Sequence, residues 1–170
     1  MPPRYRITTV CTGNICRSPM AQVVLQDRLA SAGLANVVEV VSRGTSAEEF
    51  GNPIDRRAQQ ILAERGYEVP DHNALPATLA DLADSQLVLA MTWSHARSLR
   101  RLAHGDEELA ERIHMYRSFD ADFAPGRSDF ELDIEDPWYG GREDFIICMD
   151  QIEAAADGIV DYVRKQLGRA

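Results

Sequence analysis

Cys11 and Arg17, separated by five residues, are the first pair in the chain whose types and spacing suit chemistry on an anion. The intervening Thr12-Gly13-Asn14-Ile15-Cys16 includes glycine and asparagine, the two types that most readily take left-handed backbone angles. The segment can therefore curl until successive N–H groups face one concavity, which suits a tetrahedral oxyanion. Ser18-Pro19 reads as a helix start, since proline is favoured in a first turn, and a helix N-terminus adds positive field at the same place. The Arg17 guanidinium can give two parallel hydrogen bonds to phosphate oxygens. The same field favours the nucleophilic thiolate form of Cys11, and Ser18 can donate a hydrogen bond to it. A nucleophilic sulfur on the floor of a phosphate cradle predicts attack on phosphorus and a covalent cysteinyl-phosphate.

Breaking a phosphoester also needs a proton for the leaving group, whose conjugate pKa is about 10 for a phenolate. Asp136 is the candidate donor. Pro137 biases it toward an extended backbone, and Asp133, Glu135 and a bound phosphate all favour its protonated form. Taken alone, this acidic run also reads as a solvated loop, and Cys11 and Cys16 as buried thiols, a metal pair or a disulfide. Cys-x4-Cys has no second ligand pair at a usual zinc spacing and the four histidines are scattered, so neither a metal nor a cofactor is expected.

The elements that must position these groups alternate along the chain. Ile7 to Val10 is β-branched and ends at a Gly/Asn turn, as a buried central strand would. Ala21, Leu25, Leu29 and Ala32 then form one apolar helical stripe. A second strand is predicted over 37–41, a helix over 55–65 stopped by Gly66, a strand over 87–91, a helix over 94–102 and a short strand over 113–116. Residues 120–141 are rich in Pro, Gly and Asp and show no period, which predicts a long loop of functional kind. Phe145, Met149, Ile152, Ala156, Ile159, Val163 and Leu167 recur every three or four residues and predict a long covering helix. Such alternation implies an α/β fold, a parallel sheet between helices with ligands at the carboxyl ends of the strands.

At 170 residues with 45% hydrophobic content, one domain over 1–170 is expected. The opening Met1-Pro2-Pro3 and its short apolar run do not resemble a signal peptide, and no apolar stretch reaches membrane-spanning length. A cytoplasmic protein without membrane contact is expected, its three cysteines kept mostly reduced. The formal net charge of −9 argues against nucleic-acid binding, which wants a basic face.

The run Cys11 to Pro19 resembles the signature loop of low-molecular-weight protein tyrosine phosphatases, and the likeness continues through Gly44-Thr45, Asp71-His72 and Asp136-Pro137-Trp138-Tyr139-Gly140. The resemblance implies a four-stranded parallel sheet in a single Rossmann-like domain, cofactor-free hydrolysis of phosphotyrosine in protein substrates, and a tyrosine kinase as counterpart. It carries nucleophile, clamp and donor onto Cys11, Arg17 and Asp136. Substrate contacts fall on Thr12, Gly13, Asn14, Ile15, Cys16, Ser18, Phe50, Trp138 and Tyr139. It further implies that Asn14 is held left-handed by Ser18, Ser42 and His72.

Two departures touch the pocket: Glu48 stands where many relatives carry an aromatic, with Phe50 as possible compensation, and Thr92 replaces a common Asp. Arsenate reductases and protein-arginine phosphatases on the same fold are the alternatives. The former relay oxidation through two further mid-chain cysteines, which do not occur between Cys16 and Cys148, and the latter usually carry Thr at the position of Ile15. The closeness of Cys11 and Cys16 on the curled loop leaves two readings of Cys16, a reversible disulfide with Cys11 or a thiol that only packs beneath the loop.

Overall fold

The computed structural model describes residues 4–169; Met1-Pro2-Pro3, on which the signal-peptide reading partly rested, and Ala170 lie outside it. Four parallel strands form one sheet in the order β2-β1-β3-β4: β1 Tyr5–Cys11, β2 Val38–Gly44, β3 Leu87–Ala90 and β4 Ile113–Met115. The β-branched run of β1 is central because both its faces are covered, with Ile7 and Val10 fully buried on opposite sides. The chain leaves β1 toward β2, then crosses back to β3 on the other flank. Cys11 therefore ends the strand at which the sheet order reverses, where open α/β sheets bind ligands.

Helices α1 (Arg17–Ser31), α2 (Arg56–Glu64) and α6 (Arg142–Gln166) pack on one face, and α3 (Leu79–Asp84) and α4 (Trp93–Leu102) supply the other. In α6, Phe145, Met149, Ile152, Ile159 and Val163 are all fully buried. Burying each such side chain is worth roughly 1.5–3 kcal/mol, so packing rather than propensity holds this helix. The predicted elements are present with small shifts. β2 runs three residues past Val41, because Ser42, Arg43 and Gly44 pair with Thr9, Val10 and Cys11. Two short helices were not predicted, α3 and α5 (Glu107–Ala110), and the 120–141 segment contains 3-10 turns at Asp129–Leu132 and Pro137–Tyr139. Among the described residues, no helix is long and apolar enough to cross a membrane.

Candidate active site

Between the end of β1 and the start of α1 the chain makes the curled loop, and Asn14 is the residue that turns it, at φ 60°. Both polar atoms of the Asn14 side chain are engaged. Its Nδ2 donates to Ser18 Oγ and Ser42 Oγ, both at 2.9 Å, and its Oδ1 accepts from Leu75 N at 3.0 Å. His72 Nε2 lies 2.6 Å from the Asn14 carbonyl; a carbonyl only accepts, so His72 carries its proton on Nε2. The four-residue set implied by the family resemblance is thus assembled, fully hydrogen-bonded and mostly buried. Gly13, by contrast, is not left-handed. A Cβ there would lie 3.1 Å from Glu49 Cγ, a tight contact that the Glu49 side chain would have to relieve.

Within the described residues, the N–H groups from Gly13 to Ser18 have no backbone or side-chain partner, as expected of a loop that offers donors to an anion. Cys11 is 3% exposed at the floor, its Sγ 3.0 Å from Ser18 Oγ. With a thiolate, the Ser18 hydroxyl must be the donor. Arg17 is 4% exposed; its Nη1 donates to the Ile134 carbonyl at 2.9 Å, its Nη2 lies 3.5 Å from Asp136 Oδ2, and its buried Nε has no partner. The Nε and Nη2 edge is the fork suited to two oxygens of one phosphoryl group.

Asp136 is placed by local chemistry. It caps the Pro137–Tyr139 turn by accepting from Trp138 N at 3.0 Å, which aims the other carboxylate oxygen at Arg17. Upstream, Ile134 N donates to the Met91 carbonyl at 2.8 Å and Trp93 N to Asp133 Oδ1 at 2.6 Å, tying the loop to the end of β3. Cys16 and Cys148 are buried free thiols that burial pushes upward, Cys148 to about 12, so both stay protonated near neutral pH.

A cavity of about 160 Å³ rises from this floor, lined by Cys11, Thr12, Gly13, Ile15, Cys16, Arg17, Glu48, Glu49, Asp136, Trp138 and Tyr139. Trp138 and Tyr139 meet edge to face at 5.2 Å and form one wall. Of the residues expected to touch substrate, Asn14 and Ser18 sit beneath the loop instead of lining the cavity. Phe50 does not line it either: it points to solvent, 67% exposed. Residues 46–52 turn Glu48 and Glu49 inward, since the Glu49 stem packs over Gly13, and Gly51 N anchors the far side to the Ala74 carbonyl. The wall facing Trp138 is therefore acidic.

One contact was missed from the sequence. Thr92 caps α4, and its N–H donates to His95 Nδ1 at 3.2 Å, leaving the His95 proton on Nε2, 2.8 Å from Thr12 Oγ1. Burial and the nearby Arg17 lower His95 to about 3, so it is a neutral donor that pins the first loop residue after Cys11. The Thr92-x-x-His95 spacing at a helix start is a capping-box variant and was the available signal.

A parallel α/β sheet that presents a cysteine, an arginine-flanked loop of unpartnered N–H groups and a facing carboxylate at its switch point defines a site of the Cys-x5-Arg class suited to a tetrahedral oxyanion. The family profile described as low molecular weight phosphotyrosine protein phosphatase matches residues 6–169. The low molecular weight protein-tyrosine-phosphatase of Streptomyces coelicolor is 42% identical over 167 residues, covering 98% of both chains. Low molecular weight protein-tyrosine phosphatase A of Mycobacterium tuberculosis is 42% identical over 163 residues, covering 96% of this chain and 94% of its own. The crystal structure of a protein tyrosine phosphatase from Entamoeba histolytica shares the fold at TM-score 0.83 and 24% identity, over 96% of this chain and 98% of that one. The chain belongs to the low molecular weight phosphotyrosine protein phosphatase family.

Proposed function

We propose that the protein hydrolyses phosphotyrosine in protein substrates through Cys11, Arg17 and Asp136. The observation that carries this reading is the Cys11 sulfur, 3.0 Å from the Ser18 hydroxyl, beneath an Arg17 whose Nη2 stands 3.5 Å from the Asp136 carboxylate. Cys11 attacks phosphorus as thiolate, the P–O bond to tyrosine breaks, and protonated Asp136 gives its proton to the departing phenolic oxygen. The Asp136 carboxylate then takes a proton from water attacking phosphorus; the S–P bond breaks, releasing inorganic phosphate and a thiolate that Ser18 stabilises. Arg17 and the unpartnered loop N–H groups hold the equatorial oxygens throughout. Ile15 and the Trp138-Tyr139 wall favour an aromatic ester, and the depth of Cys11 excludes a short phosphoserine. The names of the Streptomyces and Mycobacterium relatives support the same substrate. A tyrosine kinase supplies the ester, and a reducing cytoplasm keeps the thiol available.

The test is turnover of phosphotyrosine, phosphoserine and phosphoarginine peptides by wild type and variants. Cys11→Ser is expected to abolish turnover but keep phosphate binding, and Arg17→Ala to lose both. Asp136→Asn should lose about 10²- to 10⁴-fold in kcat/KM on unactivated aryl esters and much less on a nitrophenyl ester, whose leaving group needs little protonation. Turnover by Cys11→Ser, or fastest turnover of phosphoarginine, would overturn the assignment.

A further inference from the structure

The segment carrying Asp136 is tied down upstream through Asp133 and Ile134, but what holds it downstream lies on another element. Arg57, in the first turn of α2, donates from Nη1 to the carbonyls of Trp138 at 3.1 Å and Gly140 at 3.4 Å. Its planar group lies 4.7 Å from the Phe145 ring centroid and 5.9 Å from that of Trp138. The other edge of the guanidinium is locked in a fork on Asp55, Nε to Oδ1 at 3.2 Å and Nη2 to Oδ2 at 3.3 Å. Asp55 caps α2 and, through its own N–H, donates to the Ile15 carbonyl of the anion loop at 2.8 Å. One continuous chain of hydrogen bonds therefore runs from the anion loop through Asp55 and Arg57 to the residues just after the acid.

We propose that Arg57 is a positioning residue for acid catalysis: it straps the donor segment to the anion loop and sets the height of Asp136 above Cys11. The inference rests on Asp136 being the proton donor. Its force comes from a conflict at Arg17. In the free site Arg17 lies 3.5 Å from Asp136, but a bound phosphoryl group takes the same edge of that guanidinium. During turnover the direct link weakens as the acid must act, and the Arg57 strap, which touches neither phosphate nor leaving group, persists. Lysine cannot replace it fully, because an ammonium lacks the planar fork that reaches Asp55 and two carbonyls at once.

The experiment compares wild type, Arg57→Met, Arg57→Lys, Asp136→Asn and the double variant Arg57→Met/Asp136→Asn on phenyl phosphate and nitrophenyl phosphate, with inhibition by inorganic phosphate alongside. A displacement near 1 Å costs on the order of 10²-fold, so Arg57→Met should lose about 10- to 100-fold on phenyl phosphate in kcat/KM, which reports the acid step apart from the phosphocysteine hydrolysis that both esters share. On nitrophenyl phosphate the loss should stay below about threefold, since general acid catalysis contributes little there. Phosphate inhibition should be unchanged, and Arg57→Lys should fall between. Added to Asp136→Asn, Arg57→Met should cost little more, because both act on one proton transfer. Should Arg57→Met fail to fold, the leaving-group bias of Arg57→Lys decides. Equal losses on both esters, or full additivity in the double variant, overturn the strap while the donor assignment stands. Equal losses in Asp136→Asn itself would overturn the donor assignment and the strap with it.

Discussion

Two neutral histidines hold the anion loop at separate points, His72 at the Asn14 carbonyl and His95 at the Thr12 hydroxyl. Burial lowers both below the ordinary 6.5, with Arg17 adding to the effect at His95, which reaches about 3. In the unfolded chain each protonates as pH falls through about 6.5, whereas the folded protein resists it. The unfolded state then holds more protons, so stability is full above about 6.5 and declines below it, by up to about 1.4 kcal/mol per pH unit per histidine. For His95 the decline continues toward pH 3. Urea unfolding of wild type and His95→Gln between pH 7 and 5 checks this. The variant, whose amide can still donate to Thr12, should show the shallower slope, and parallel slopes would remove His95 from the account. Residues at this scale were unevenly legible. Asn14, Ser18, Ser42 and His72 were available through the family likeness, but the Thr92-x-x-His95 spacing marks only a helix cap, and the contact of His95 with Thr12 spans 83 positions. The inward turn of Glu48 and Glu49 in place of Phe50 depends on packing against Gly13, which periodicity does not encode.

Strand β2 does more than flank β1: its last residue braces the anion loop. Gly44 pairs with Cys11, Thr45 N donates to the Cys11 carbonyl at 2.8 Å, and Ser46 N to the Thr12 carbonyl at 3.1 Å. A Cβ on Gly44 would lie 2.6 Å from the Thr12 carbonyl oxygen and 3.3 Å from Asn14 Cβ. The first of these is backbone and cannot swing away. Gly44→Ala is therefore expected to cost about 1–3 kcal/mol of stability, the range of overpacking, and to weaken inhibition by phosphate as the loop is pushed out of register. Urea unfolding and phosphate inhibition measure the two effects, and unchanged inhibition would mean that the strand end does not support the loop. The three residues that extend β2 escaped the sequence because Ser42-Arg43-Gly44 lacks β-branched and apolar character; pairing with β1 holds them extended. Helix α2 was legible from its Gly66 stop, and its Asp55 cap came with the structure. Helix α3 is a six-residue turn with a single buried apolar residue, Leu82, and only its Thr78-x-x-Asp81 capping box marked it.

The molecule as a whole carries a formal charge of −9 yet is read as taking a phosphorylated substrate, and the resolution lies in where its charges stand. Attraction is local: Arg17 is nearly buried at the floor, where water screens it little. Toward solvent the cavity meets Glu48, Glu49 and Asp136, and among the described residues Arg17 is the one cation in its lining. An approaching phosphopeptide thus feels repulsion first and the phosphate cradle last. Repulsion between exposed charges is damped beyond a Debye length, which shrinks from about 30 Å at 0.01 M salt to about 8 Å at 0.15 M. For a phosphotyrosine peptide with acidic flanks, kcat/KM should rise with ionic strength over that range; with basic flanks, whose side chains meet the rim carboxylates favourably, it should fall. Electrostatic steering alters encounter rates by about 10-fold or more, so a change of several-fold is the expected size. Glu48→Lys should narrow the difference between the two peptides without changing turnover of a small aryl phosphate at saturation. If both peptides respond to salt identically in wild type and Glu48→Lys, the rim charge plays no part in selecting substrate, and the choice falls to the aromatic wall alone.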